Sequence, residues 1–227
     1  MSAAPDFLRV GRRFGQFSTL FISLVVIFAL RPFLDSFVSI SILTGIFLSL
    51  TMLAAIRAVS ENAVTLVIAI ALAFLFLFFE WMPYFGYFSD IRYMSKIIGA
   101  IYSVYITCLI LLFIMRQKEI SLEIIKAAMC AYFLIGLMWS FVFLAIEVLS
   151  PGSFQFPSGT PIDHDQFIYF SFVTLTTVGY GDVTPISNGA RSLAILEAVM
   201  GQFYLAVTVA RLVSIHLAQH SDQTTRE

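Results

Sequence analysis

Charge is scarce in this chain and nowhere concentrated: 12% of its residues are Asp, Glu, Lys or Arg, and they nearly cancel to a formal net charge of -1. Nucleic-acid binding needs a basic patch or stripe. The cations here are scattered around apolar stretches, which excludes nucleic acid as a partner. Cysteine is nearly absent as well. Cys108 and Cys130 both fall in or beside apolar segments, where a thiol acts as a small hydrophobe rather than as a disulfide partner or metal ligand. The 3 histidines and 2 cysteines form no spaced cluster and no nucleophile–base pair, so neither an enzyme nor a cofactor is expected.

Apolar surface, by contrast, is abundant. Hydrophobic residues make up 59% of the chain and mean hydropathy is +0.92, more than a water-soluble domain of this length buries. An all-α membrane protein is the expectation. Arg9, Arg12 and Arg13 precede an apolar run from Phe17 to Leu30. No small-residue cleavage site follows, so the run reads as a retained first helix rather than a signal peptide.

A helix needs about 20 apolar residues to cross roughly 30 Å of hydrocarbon. Runs of that kind lie near 15–34, 36–56, 62–82, 96–115, 128–149 and 189–216, which predicts six transmembrane helices. An even number puts both termini on one side of the membrane, and the Lys and Arg count chooses that side. The termini and even-numbered loops hold nine basic residues, against Arg31, Arg92, Lys96 and Arg191 opposite, so both ends are expected in the cytoplasm of a multi-pass cell-membrane protein.

Between the fifth and sixth spans the chain runs from Asp163 through about a dozen amphiphilic residues into Gly179-Tyr180-Gly181. This pattern predicts a short re-entrant helix followed by an extended turn. Non-helical backbone at membrane depth is tolerated only where it is buried in protein or lines a water-filled path, so the segment predicts a pore. Gly179 and Gly181 can adopt the backbone angles that turn successive carbonyls towards one axis. The Thr177 hydroxyl can add a further ring of oxygens, and a helix C-terminus aimed inward favours a cation.

The segment Thr174-Leu-Thr-Thr-Val-Gly-Tyr-Gly-Asp182 resembles the signature of potassium channels, and the resemblance extends over residues 128–216. It implies that Thr177, Val178, Gly179, Tyr180 and Gly181 form part of a selectivity filter, in which carbonyls from four loops replace the hydration shell of potassium. One loop per chain then implies a homotetramer with a pore domain at 128–218, potassium as permeant ion and membrane lipid around it. Thr176, Asp182, Tyr169 and Phe170 are the implied supports of the filter. Many family members carry two tryptophans where this chain has Tyr169 and Phe170. Some carry a buried acid where it has Val173, so Asp182 needs another partner or water.

Gly201 stands where the family's inner helix often has a hinge glycine; close helix packing accounts for it equally well. Helical spacing makes Leu205, Thr208, Val209 and Leu212 candidates for the lower pore wall. Glu147 and Glu197 lie inside apolar helices, where an acid demands a partner. Each either ties the outer loop or the re-entrant helix in place or contacts ions. Arg211 either snorkels to the interface or repels ions, and His216 and His220 belong to a solvated tail or a pH sensor.

Six-helix members of this family often carry Arg or Lys at every third position of the fourth helix. Here Ile97 to Met115 holds none, and Arg92 and Lys96 sit at the outer edge. Residues 1–115 therefore resemble a voltage-sensor domain without gating charges, and little voltage dependence is expected. Residues 116–127 suit an amphipathic interfacial linker, and 219–227 a short cytoplasmic tail. Two competing readings are a potassium uptake transporter, whose chains usually join four such loops, and a non-conducting regulatory subunit.

Overall fold

In a computed structural model the described residues are 16–34, 49–51, 53–56, 63–82, 92–117, 119, 121–159 and 162–224. The elements in chain order are α1 (Gln16–Leu34), α2 (Ala63–Trp81), α3 (Arg92–Arg116), α4 (Leu122–Leu149), β1 (Phe154–Gln155), α5 (His164–Leu175), β2 (Thr184–Pro185) and α6 (Asn188–Thr224). Residues 49–51 and 53–56 are also helical.

Ala63–Trp81, Met94–Arg116, Leu122–Leu149 and Asn188–Ile215 are long and apolar enough to cross a membrane, whereas the apolar stretch of α1, Phe17–Val26, is shorter. The described residues thus give four of the six expected spans at full length. Most of the second, 36–56, lies outside them, as do 1–15 and the side chains of His216 and His220.

Ser121, in extended backbone at the N-cap, and Glu123 in the first turn start α4 at Leu122, where an acid meets the positive end of the helix dipole. Leu122 to Ala127, expected in the interfacial linker, are helical and continuous with the rest of α4.

α4 is the centre of the packing. Phe17, Leu20 and Leu24 of α1 are buried in the core, and Phe28 meets Phe172 of α5 edge-on at 4.5 Å. Glu123 accepts hydrogen bonds from the Phe17 amide at 3.3 Å and the Ser18 hydroxyl at 3.4 Å, and pairs with Lys126 at 3.0 Å. On the other side α3 comes close because it has a glycine: a Cβ on Gly99 would stand 2.9 Å from the Phe141 ring. In lipid such contact is stabilised by dispersion, since tails are as apolar as the side chains they replace.

α5 is too short to span. Its 12 residues rise about 18 Å at roughly 1.5 Å each, against a hydrocarbon core of about 30 Å. Asp163 starts it, its Oδ1 accepting from the Asp165 and Gln166 amides at 3.0 and 3.3 Å. Phe143, Phe154, Phe167 and Phe170 then pack edge-to-face around its upper half. β1 pairs antiparallel with β2, Phe154 opposite Pro185, so the loop before α5 grips the segment that follows the extended turn.

Candidate functional site

The turn between α5 and β2 has an uncommon backbone. Thr177, Gly179 and Gly181 take φ of 58°, 59° and 78°, while Val178 and Tyr180 stay negative. In an ordinary strand successive carbonyls alternate sides. Reversing the sign of φ at every second residue turns the peptide planes so that carbonyls face one way. For a β-branched threonine the left-handed region is an outlier, a local strain of about 1–3 kcal/mol of the kind that gathers at functional sites. Among the described residues nothing lies within 4 Å of a Cβ built on Gly179 or Gly181, so within one chain it is the positive φ that calls for glycine there.

The turn is hung from α5. The Val173 carbonyl accepts from the Val178 amide at 3.0 Å and the Gly179 amide at 3.3 Å, and the Thr176 hydroxyl donates to the Phe172 carbonyl at 2.6 Å. Val178 and Tyr180 are 53% and 71% exposed, so among the described residues the far side of the turn is open.

The implied supports are placed differently from one another. Tyr169 donates to Asp182 at 2.7 Å and its ring lies parallel to Tyr180 at 6.5 Å. Asp182 thereby finds the partner it needs, and it also accepts from the Val183 amide at 3.0 Å. Phe170 points the other way, into the Phe143 and Phe154 cluster. Behind the turn, Val173 leaves a cavity of about 210 Å³ bordered by Tyr169, Gly179 and Asp182.

Both acids make ties. Glu147 accepts from the Gly152 amide at 2.8 Å and the Phe154 amide at 3.1 Å, fixing the loop that carries β1. The Ser153 carbonyl of that loop in turn accepts from Ile186 at 2.7 Å, just past the turn. Glu197 is fully buried and bonds to Ser171 of α5 at 2.5 Å, and the Ser171 hydroxyl also reaches the Gly136 carbonyl of α4 at 2.7 Å.

Gly201 is a contact point. A Cβ there would stand 2.5 Å from the Leu175 carbonyl oxygen, at the end of α5. The same carbonyl accepts from the Tyr132 hydroxyl at 3.4 Å. The stripe of α6 that faces the protein contains Ala194, Glu197 and Gly201, buried, then Tyr204 and Thr208, half-buried. Of the candidate wall residues, Leu205 and Val209 are open, whereas Thr208 is half-buried and Leu212 packs on the core. Glu197 and Gly201 face the protein, Leu205 and Val209 stand open, and Thr208 and Leu212 lie half-exposed between them.

Arg211 is half-buried and reaches across to α3. Its Nη2 donates to the carbonyls of Ile114, Met115 and Gln117, capping the C-terminal end of α3. Sequence reasoning also missed Ser171, Gly136, Tyr132 and Tyr204. The signal was present for Ser171, a hydroxyl on the apolar side of a short helix; Gly136 shows no sequence sign of its role, because any residue has a carbonyl.

The ion channel family matches over residues 143–217. The potassium voltage-gated channel subfamily A member 4 of Homo sapiens is 33% identical over 84 residues, 35% of this chain and 13% of that protein. Protein LctB of Bacillus caldotenax is 32% identical over 123 residues, 52% of this chain and 90% of the relative. Two pore potassium channel c of Oryza sativa subsp. japonica is 32% identical over 72 residues, 31% of this chain and 16% of that protein. The chain therefore spans 13% of the human relative's length but nearly all of the bacterial one. No solved structure matches.

Proposed function

Because this chain belongs to the potassium channel family, we propose that Thr177 to Gly181 are one quarter of a potassium-selective filter, completed by three further copies around a common axis. The observation that carries this reading is the alternating φ at Thr177, Gly179 and Gly181. It supports a row of carbonyls on one side of the chain, the arrangement that replaces a cation's hydration shell. The negative end of the α5 dipole adds to the attraction.

The homotetramer is supported by incompleteness. The spanning stretch of α6 has 11% of its apolar window buried, against 56% for α4, and the turn it stands beside faces open space. Three more copies cover the first and close the second. The Lys and Arg count supports cytoplasmic termini, with the filter then at the outer end of the pore.

Conduction is expected to depend little on voltage. The basic residues of α3 stand at its two ends, and Lys96 is held by Glu80 at 2.8 Å. No ladder of free charges is left to move, and each such charge supplies about 2.3 kcal/mol per 100 mV.

The test is flux from liposomes holding the purified protein. Potassium flux that exceeds sodium flux, is blocked by barium and changes little with imposed potential is the expected result. Equal passage of both ions would overturn the filter assignment, and steep activation by voltage would overturn the reading of α3.

A further inference from the structure

We propose that Glu197 is held as a neutral carboxylic acid that donates its proton to Ser171, and that this proton locks α5 between α4 and α6. Ser171 Oγ lies 2.7 Å from the Gly136 carbonyl and 2.5 Å from Glu197 Oε1. A hydroxyl carries one proton, and a backbone carbonyl can only accept. If the Ser171 proton goes to Gly136, the hydroxyl presents a lone pair to Glu197, and the carboxyl must supply the proton between them. If a carboxylate took the Ser171 proton instead, two oxygens without hydrogen would face each other at 2.7 Å on the Gly136 side. One proton on Glu197 satisfies both contacts.

The surroundings favour the same state. Glu197 and Ser171 are both 0% exposed, and Glu197 Oε2 has no hydrogen-bond partner. On α4, Tyr132 turns its hydroxyl away to donate to the Leu175 carbonyl at 3.4 Å. From α5 the acid meets the Ser171 hydroxyl. No Lys, Arg or His pairs with it among the described residues. A carboxylate there would be desolvated with no cation to offset the cost.

Ser171 sits two residues, about half a turn, before Val173, whose carbonyl accepts from the Val178 and Gly179 amides and so suspends the filter. Glu197 is therefore a positioning residue: it touches no permeant ion and acts through Ser171 and α5. Losing its proton sets oxygen against oxygen in the middle of three helices and releases the element from which the filter hangs.

Difference infrared spectroscopy of the purified full chain tests the protonation without any ion flow, and so stands apart from the channel reading on which the flux measurement rests. A carboxylic-acid carbonyl band is expected at neutral pH, absent from Glu197→Gln and shifted in Ser171→Ala. A wild-type spectrum without that band, or a band that Ser171→Ala leaves in place, overturns the proposal. In liposomes, potassium flux is expected to fall over the same pH interval in which the band disappears. Glu197→Gln, which keeps an N–H donor of the same length, is expected to hold its flux across that interval. Identical pH profiles for the two proteins overturn the coupling to the filter.

Discussion

Tyr169 Oη donates to Asp182 Oδ2 at 2.7 Å, so one side-chain bond joins the middle of α5 to the residue just past Gly181, 13 positions later. The turn between them is held at both ends. The same bond keeps the Asp182 carboxyl below its ordinary value of 3.8 and pushes the Tyr169 hydroxyl up to about 12.

The sign of the pH effect follows. A carboxyl whose value is lowered by folding contributes stability that is present above its unfolded value and is lost as pH falls through the lowered one. The brace should therefore survive acidification of the outer face through the ordinary carboxylate range and fail below it. In Tyr169→Phe the donor is gone, Asp182 returns towards its ordinary value, and potassium flux should decay severalfold faster after opening. Flux decay in Tyr169→Phe that matches the wild type across external pH would refute the brace.

Gly179→Ala should abolish potassium flux while leaving assembly intact. There is space for the methyl group, with nothing within 4 Å, but φ is 59°, and an L-residue in the left-handed region costs about 1–2 kcal/mol. In the proposed four-copy filter that cost falls on every copy. Size-exclusion chromatography together with liposome flux separates loss of conduction from loss of assembly.

Gly201→Ala should lower thermal stability in detergent, because its methyl group meets the Leu175 carbonyl at 2.5 Å. Overpacking of this kind costs about 1–3 kcal/mol. Gly189→Ala, on the same helix with nothing within 4 Å, is the control and should unfold as the wild type does. Unchanged melting of Gly201→Ala would favour a hinge over a packing contact.

Arg211→Gln should loosen the last turn of α3. A cation on those carbonyls is worth about 0.3–1 kcal/mol, and up to roughly 2 in a partly buried geometry. Hydrogen exchange of amides near Ile114 to Gln117 should rise several-fold, with exchange in α5 unaffected. Unchanged exchange near the end of α3 would show that the cap contributes nothing there.

Membrane class, the positions of the long helices, and the short helix with the turn that follows it were legible in the sequence by itself. Each rests on local chemistry: apolar runs long enough for a bilayer, a helix too short to cross it, and glycines where the backbone must take positive φ. The partners of the polar residues were decided by tertiary structure alone. Asp182 lacks the acid that some relatives place at Val173, and only the fold brings the Tyr169 hydroxyl to it. Gly201 reads equally as hinge or contact until the end of α5 is laid against it. Arg211 reads as an interfacial cation until α3 presents three carbonyls to it, 94 to 97 positions earlier in the chain. Helical periodicity says which residues share a face, but which face meets which helix is set by packing between distant segments, and a carbonyl acceptor such as Gly136 has no side chain by which a sequence could announce it.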